Sequence, residues 1–591
     1  MMAWIWYMAP SEEEIQRMQE ERAAQDSLRA LQTEQEFERP QDIAEPEPEE
    51  TRPEVGVFGH QAFTDTVYTT IETPRQRFTF SNLGGGPIQI ELLNHRKYDD
   101  TNVVLVADTA KSAYNIGFLS TESLNVETNT LLFRPLHDQQ HIIVGEDETA
   151  AISYALELED GRSMTLTYTF HGDRYVTDLE IRFDGVEELI SGNYYELGFL
   201  SRLRSTERNR SSETMYSAAY VYSGGVLDDI NLTSPGSEEQ SYTGIVQWVA
   251  TKNKFFTQII KPLDPDRTDG AIITGEVTGE NDDERTHYTS VLRSRIPADG
   301  IGRYTLYTGP LDLYELRDFD REAYDMVDTG FRFLRWFSDP FVKWVVAPFF
   351  KFFGGIIPNM GLVIILFAFI VKIVLYPLTK KSFESMAAMR ELQPEMKAIQ
   401  EKYKDNPQAQ QQATMKLFKK AKVNPLGGCL PNLLQAPVLI TLWRYFQNSI
   451  EIRQQGFLWA DDLSAPDVII QLPFSIPFMG DFIAGFVLLM AASMVVQMKI
   501  SGQGGAANPQ MKIFQYVLPV VLFFVFNQFA SGLSLYYLIY NTLSIGQQML
   551  INKQIDHVKM METVDKKKAR QMAKEKKLEE KKKRQEKRDD N

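Results

Sequence analysis

The sequence predicts a polytopic α-helical membrane protein that carries a large all-β domain on one side of the bilayer. Three observations point there. The second half holds repeated apolar stretches near spanning length, the first half alternates apolar and polar residues with period two, and lysine and arginine are shared unevenly among the loops. The averages, 43% hydrophobic and a net charge of −17 over 591 residues, look like an ordinary soluble protein only because they mix unlike regions. Several domains are expected, since a domain takes roughly 150 residues. With one cysteine, Cys429, neither an intrachain disulfide nor a multi-cysteine metal site can form.

Residues 1–10, Met1-Met2-Ala3-Trp4-Ile5-Trp6-Tyr7-Met8-Ala9 closed by Pro10, are apolar and aromatic. The run is about half the ~20 residues a spanning helix needs, and it lacks the basic leader and small-residue cleavage site of a signal peptide. It reads as a surface anchor or, as the export of the downstream domain leads us to expect, as the remnant of a truncated first transmembrane span. Residues 11–55 form an acidic flexible tether: 11–54 hold 15 acidic and 5 basic residues, including Glu-Pro-Glu-Pro-Glu at 45–49. Such a segment buries too little apolar surface to offset chain entropy.

Residues 56–330 change to period-two alternation broken by Gly, Asn and Asp. Examples are Ile88-Gln89-Ile90-Glu91-Leu92, Met164-Thr165-Leu166-Thr167-Tyr168-Thr169-Phe170 and Tyr304-Thr305-Leu306-Tyr307. Short β-branched and aromatic strands in series predict an antiparallel sandwich or barrel, here as two extended, face-packed sheets. In 331–354, Arg332, Arg335, Lys343 and Lys351 fall within an arc of about 160° at helical spacing, opposite Trp and Phe. That pattern predicts an interfacial amphipathic helix lying in the membrane surface. A helix buried against the β domain is the alternative.

Five apolar stretches follow, 359–378, 428–447, 482–500, 511–529 and 532–551, each near spanning length. The loop 379–427 has ten basic and five acidic residues, whereas 448–481 has one basic residue, Arg453, and five acidic. The tail 556–591 has thirteen basic and four acidic residues over 566–588. The positive-inside rule therefore puts 379–427 and the tail in the cytoplasm and 448–481 outside, with the β domain outside too. The parity of five spans agrees.

Within the first of these spans the lone charge over Gly361–Tyr376 is Lys372. A lysine at the bilayer centre costs about 2.5–3.5 kcal/mol on insertion scales, so it either snorkels to the cytoplasmic surface or faces a wet cavity. Asn432, Gln435, Arg444, Gln497, Asn527, Asn541, Thr542, Ser544, Gln547 and Gln548 add polar groups on the other stretches and favour a hydrophilic groove. The loop 379–427 reads as a cytoplasmic helical hairpin: Phe383, Met386, Met389, Leu392, Met396, Ile399 and Tyr403 recur at helical spacing, and Asn406-Pro407 breaks the pattern. Its methionine face either holds the two arms together or offers apolar clients an adaptable surface. The basic tail either solvates or binds polyanions such as anionic lipid or ribosomal RNA.

For catalysis the sequence offers little, and no catalytic residue, cofactor or metal is expected. His137-Asp138-Gln139-Gln140-His141 lacks the glutamate of a zinc-binding HExxH and runs into the strand-like Ile142-Ile143-Val144. Neither a nucleophile elbow nor a P-loop is present.

The stretches Ile370-Val371-Lys372-Ile373-Val374-Leu375-Tyr376-Pro377-Leu378-Thr379-Lys380, Val423-Asn424-Pro425-Leu426-Gly427-Gly428-Cys429-Leu430-Pro431 and Ser531-Gly532-Leu533-Ser534-Leu535-Tyr536-Tyr537 closely resemble the YidC membrane protein insertases. The likeness covers about 330–555, and Trp248-Val249-Ala250 through Phe255-Phe256 resembles a weaker motif of that family's periplasmic domain. The resemblance implies an all-β supersandwich of the mutarotase type in the periplasm and a five-span insertase core in the bacterial inner membrane. It further implies a positively charged groove, open to cytoplasm and lipid, that inserts and helps fold clients without nucleotide hydrolysis. Lys372 stands where the family usually has arginine; Gln435 matches a groove glutamine and Tyr537 a client-facing tyrosine, with Asn432 and Asn541 placed beside them. The implied partners are nascent membrane proteins, lipids, a ribosome docked by the tail, and the Sec translocon, with a monomer expected. A secondary transporter and a membrane-anchored carbohydrate-processing enzyme are the alternatives.

Overall fold

The computed structural model describes residues 56–59, 66–107, 111–200, 202–278, 286–404, 406–421, 430–477, 479–500 and 509–554. The expected span remnant 1–10, the tether 11–55 and the tail 556–591 lie outside them.

The β region forms because its alternating residues give each strand one apolar face. Ser163–His171 buries Met164, Leu166, Tyr168 and Phe170 and leaves the threonines between them half-buried, as period two dictates. It lies within a nine-stranded sheet, between Thr149–Glu157 and Val176–Asp184. The opposite layer differs from the expected single sheet, for it is divided into a five-stranded and a six-stranded sheet. Tyr168 records the division: its ring packs at 4.9 Å on Phe80 of the five-stranded sheet and at 6.4 Å on Tyr114 of the six-stranded one. Pairing is antiparallel apart from Tyr68–Glu72, which runs parallel to His141–Ile143. That strand places His141 at its exposed start, while His137 bonds Thr69 Oγ1 at 3.0 Å and Ser153 O at 3.2 Å.

Residues 335–354 are helical throughout, with one π-type turn at Val342–Val346. Leu334, Ser338, Val342, Val346 and Phe350 recur every four residues and are buried, while Trp336, Trp344 and Phe352 are exposed. The basic side meets the end of the β region: Lys343 Nζ lies 2.5 Å from Asp325 Oδ1 and Lys351 stands over the Tyr314 ring.

Among the described residues seven helices follow, α1 (Met360–Glu391), α2 (Gln393–Lys402), α3 (Pro407–Ala421), α4 (Leu430–Asn448), α5 (Gly485–Ile500), α6 (Pro509–Phe526) and α7 (Ser531–Gln554). Among the described residues, one window, Met360–Pro377, is long and apolar enough to cross a membrane by composition alone; Gly485–Ile500 and Val517–Phe526 are shorter apolar helices. The apolar window ends at Pro377, close to the expected 378, but the helix α1 continues unbroken through Pro377 to Glu391 and the turn comes at Leu392 before Pro394. Likewise the third begins as strand Gly480–Ala484 and becomes helix at Gly485. The arms α2 and α3 close on Leu392 and Phe418, with Met396, Leu417 and Ala421 packed around them.

Candidate functional site

A cation on an apolar helix must find partners or water, and α1 turns Lys372 toward α7. Its side chain is buried and donates to Ser544 Oγ at 2.7 Å, while the ammonium lies 4.6 Å from the Tyr540 ring and 4.9 Å from the Phe383 ring. Ser544 in turn donates to Tyr540 O at 2.8 Å, which spends its own proton within α7. Tyr536, Tyr540, Ser544 and Gln547 share one face of α7 because they recur at three and four residues. Among the described residues no carboxylate pairs with Lys372. Cation–π contacts contribute about 0.5–2 kcal/mol each, less than the several kcal/mol that burying an ion costs.

The surroundings are polar and incompletely paired. Gln435 on α4 is buried beside Tyr536, and among the described residues Ser534 Oγ, both amide atoms of Gln547 and Gln548 Oε1 have no hydrogen-bond partner. Gln548 Nε2 donates to Asn552 Oδ1 at 2.7 Å and, at 3.4 Å, to Phe383 O. The β domain also has open buried polar atoms, at Thr251, Gln258 and Ser290, so what distinguishes this cluster is the buried cation at its centre.

The structure brings together only some of the residues singled out in the sequence. Lys372 lies at the centre of the cluster. Asn541 points to the neighbouring side of α7, where it donates to Ser493 Oγ on α5 at 3.2 Å. Tyr537 packs edge-on to Phe526, with ring centroids 6.1 Å apart. Met396 serves the closure of the hairpin arms. The side chains of Asn432, Met386 and Met389 lie outside the described residues. Tyr540 and Phe383, which cover the ammonium, were missed as site residues; the spacing Tyr536, Tyr540, Ser544 was the available signal.

Two polar residues expected in the groove do other work. Arg444 pairs with Asp328 of the β region, Nη1 to Oδ2 at 2.8 Å. Asn527 is fully buried, accepts from Ala484 N at 2.9 Å and donates Nδ2 to Phe482 O at 2.7 Å and Met479 O at 3.0 Å. Arg444 belongs to a joint between the helices and the β domain. Within that joint Arg453, 2% exposed, pairs with Glu207 at 2.7 Å and lies over the Phe255 and Phe256 rings. Gln454 Nε2 donates to Arg96 O at 2.8 Å and Lys97 O at 2.9 Å. Behind Glu207, burial and then the Glu207 charge push Glu213 up to about 7. Burial, followed by Asp312, does the same to Glu451.

Comparison with known proteins accords with this layout. The family described as YidC periplasmic domain matches residues 68–344, and that described as 60Kd inner membrane protein matches 352–559. The membrane protein insertase YidC of Chlorobium phaeovibrioides is 35% identical over 559 residues, covering 93% of each chain. That of Chloroherpeton thalassium is 34% identical over 566 residues, 94% of this chain and 93% of its own. A crystal structure of an active YidC insertase with its first transmembrane domain resolved covers 83% of this chain and 95% of its own, at 18% identity and a TM-score of 0.32. A galactose mutarotase-like protein from Lactobacillus casei covers 41% of this chain at 9% identity and a TM-score of 0.27.

Proposed function

The chain belongs to the YidC family of membrane protein insertases, and from that premise we propose that it inserts nascent membrane proteins through a wet, positively charged groove centred on Lys372. The family is one of inner-membrane insertases with a periplasmic β domain, not of enzymes. In this reading α1, α4, α5, α6 and α7 span the bilayer, and the hairpin α2–α3 and the tail are cytoplasmic. The exposed tryptophans of 335–354 then lie at the periplasmic surface, where amphipathic rings are favoured.

One observation carries the proposal. Lys372 is buried against a hydroxyl and two rings with no carboxylate partner among the described residues, and the open amide of Gln547 follows Ser544 on α7. A cation held this way attracts the acidic segment of a client. Water and polar atoms reaching into the membrane shorten the dry path that segment must cross and so lower its desolvation barrier. Burial of the client's apolar helix in lipid, about 25 cal/mol per Å², supplies the drive without nucleotide. The tail would recruit ribosomes by charge, and action beside the Sec translocon fits the same groove.

The test is insertion of a small single-span client with an acidic translocated tail into proteoliposomes. Lys372→Arg should retain activity, since it keeps the charge. Lys372→Ala should lose about tenfold or more, the equivalent of one charge-assisted hydrogen bond at ~1.5–3 kcal/mol. Equal activity of all three proteins would remove Lys372 from the client path.

A further inference from the structure

Strands Val468–Ile476 and Gly480–Ala484 form a two-stranded hairpin separate from every other sheet. No charged residue occurs between Asp467 and Asp481. Successive strand residues point to opposite faces, so a strand covered on one side shows alternating exposure. This one does not. Val468, Ile469 and Ile470 are 49%, 45% and 50% exposed in succession, and Phe474 is 61% exposed. One face, Val468, Ile470, Leu472, Phe474 and Ile476, is therefore apolar and largely uncovered, an arrangement that water disfavours, while the other carries Ile469 with the polar Gln471 and Ser475.

Hydrogen bonds fix where the hairpin stands. Asn527, between the end of α6 and the start of α7, ties down Met479, Phe482 and Ala484, and Gly485 opens α5 directly. Ser531 N donates to Ala465 O at 2.8 Å just before the first strand. The hairpin is thus tied at its turn and along its second strand to the segment between α6 and α7, on the loop that also carries Arg453 into the periplasmic joint. Leu458 and Trp459 of the same loop are exposed as well.

We propose that the hairpin 468–484 lies in the outer-leaflet boundary of the bilayer and binds lipid through the face of Val468, Ile470 and Phe474, with Gln471 and Ser475 on its other face toward the headgroups. The inference rests on the reading of the five long helices as spans. Depth follows from the backbone: Asn527 pairs groups on the second strand, but the outer edge of the first strand joins no other sheet, and hydrocarbon does not tolerate such N–H and C=O groups whereas the hydrated headgroup region does. Pro473 removes a donor within the first strand and Pro477 follows its end, which makes the strand a poor template for another protein's strand.

The test uses the full-length protein with Cys429→Ser in proteoliposomes, carrying a nitroxide on Phe474→Cys, Glu238→Cys or Leu488→Cys in turn. Glu238 is exposed on the β domain and Leu488 is exposed on α5. Power saturation at position 474 should show oxygen favoured over nickel ethylenediaminediacetate, between the watery value at 238 and the hydrocarbon value at 488. Nickel accessibility at 474 equal to that at 238, with 488 in hydrocarbon, would overturn the proposal alone. A watery label at 488 would overturn the span reading and the proposal with it. Spin–spin broadening at 474 that disappears on dilution with unlabelled protein would show that a second copy, not lipid, covers the hairpin.

Discussion

At the end of the helices that meets the periplasmic domain, Arg453, Arg444, Gln454 and Asn527 each have specific partners within 3.0 Å. Around Lys372, a cation rests on one hydroxyl and two rings, and amide groups stand open. The difference separates two uses of buried polarity. At the joint, ionic and amide partners come from both domains and fix one against the other, although Arg444 Nε and Arg453 Nη2 stay open. At Lys372 the charge itself has no ionic partner among the described residues, and under the proposed function that leaves it for a client.

The largest effect should come from breaking the closed end. Arg453→Ala leaves Glu207 buried without its partner, and removal of one member of a buried pair costs about 3–5 kcal/mol. Thermal unfolding of the purified full-length protein should show that loss, and faster amide exchange should be concentrated in Phe255, Phe256 and the loop 449–467. An unchanged transition would mean that the joint bears little load. The Lys372→Ala loss of insertion comes next, and it should leave stability nearly intact because no ion pair is broken.

A pH titration sharpens the same contrast. Glu213 has a folded pKa of about 7 against 4.5 for the free side chain, so the native state holds the proton more tightly. Its contribution is complete below about pH 4.5 and is lost as pH rises through about 7. Stability should fall across that window, and Glu213→Gln, which keeps the neutral form, should flatten the fall in part, with Glu451 supplying the remainder. A slope identical in wild type and variant would show that Glu213 is charged in the folded protein. The smallest effect belongs to Asn541→Ala, whose bond to Ser493 is an ordinary contact between helices at about 0.6 kcal/mol. A loss of insertion there as large as for Lys372 would redraw the site.

Strands were legible wherever one residue in two is apolar, as over Met164–Phe170, because the pattern and the burial have the same period. The division of the opposing layer into two sheets was not, since Phe80 and Tyr114 carry no mark of which sheet they join. Lys372 stood out as a lone charge in an apolar run. Its partner Ser544 lies 172 positions away, and it and Tyr540 are ordinary serine and tyrosine. Arg444 and Asn527 looked like groove residues because a polar residue on an apolar helix does not state which end or partner it faces. Their partners, Asp328 and the strand Gly480–Ala484, are set by folding of distant segments.

The most direct test of the contrast is water access. In the full-length protein with Cys429→Ser, single cysteines at Ser544 and at Asn527 would be exposed to a membrane-impermeant thiol reagent added from the cytoplasmic side. The account predicts labelling at 544 and none at 527. Protection at 544, or equal labelling at both, would contradict a groove that is open at the Lys372 end and closed at the periplasmic joint.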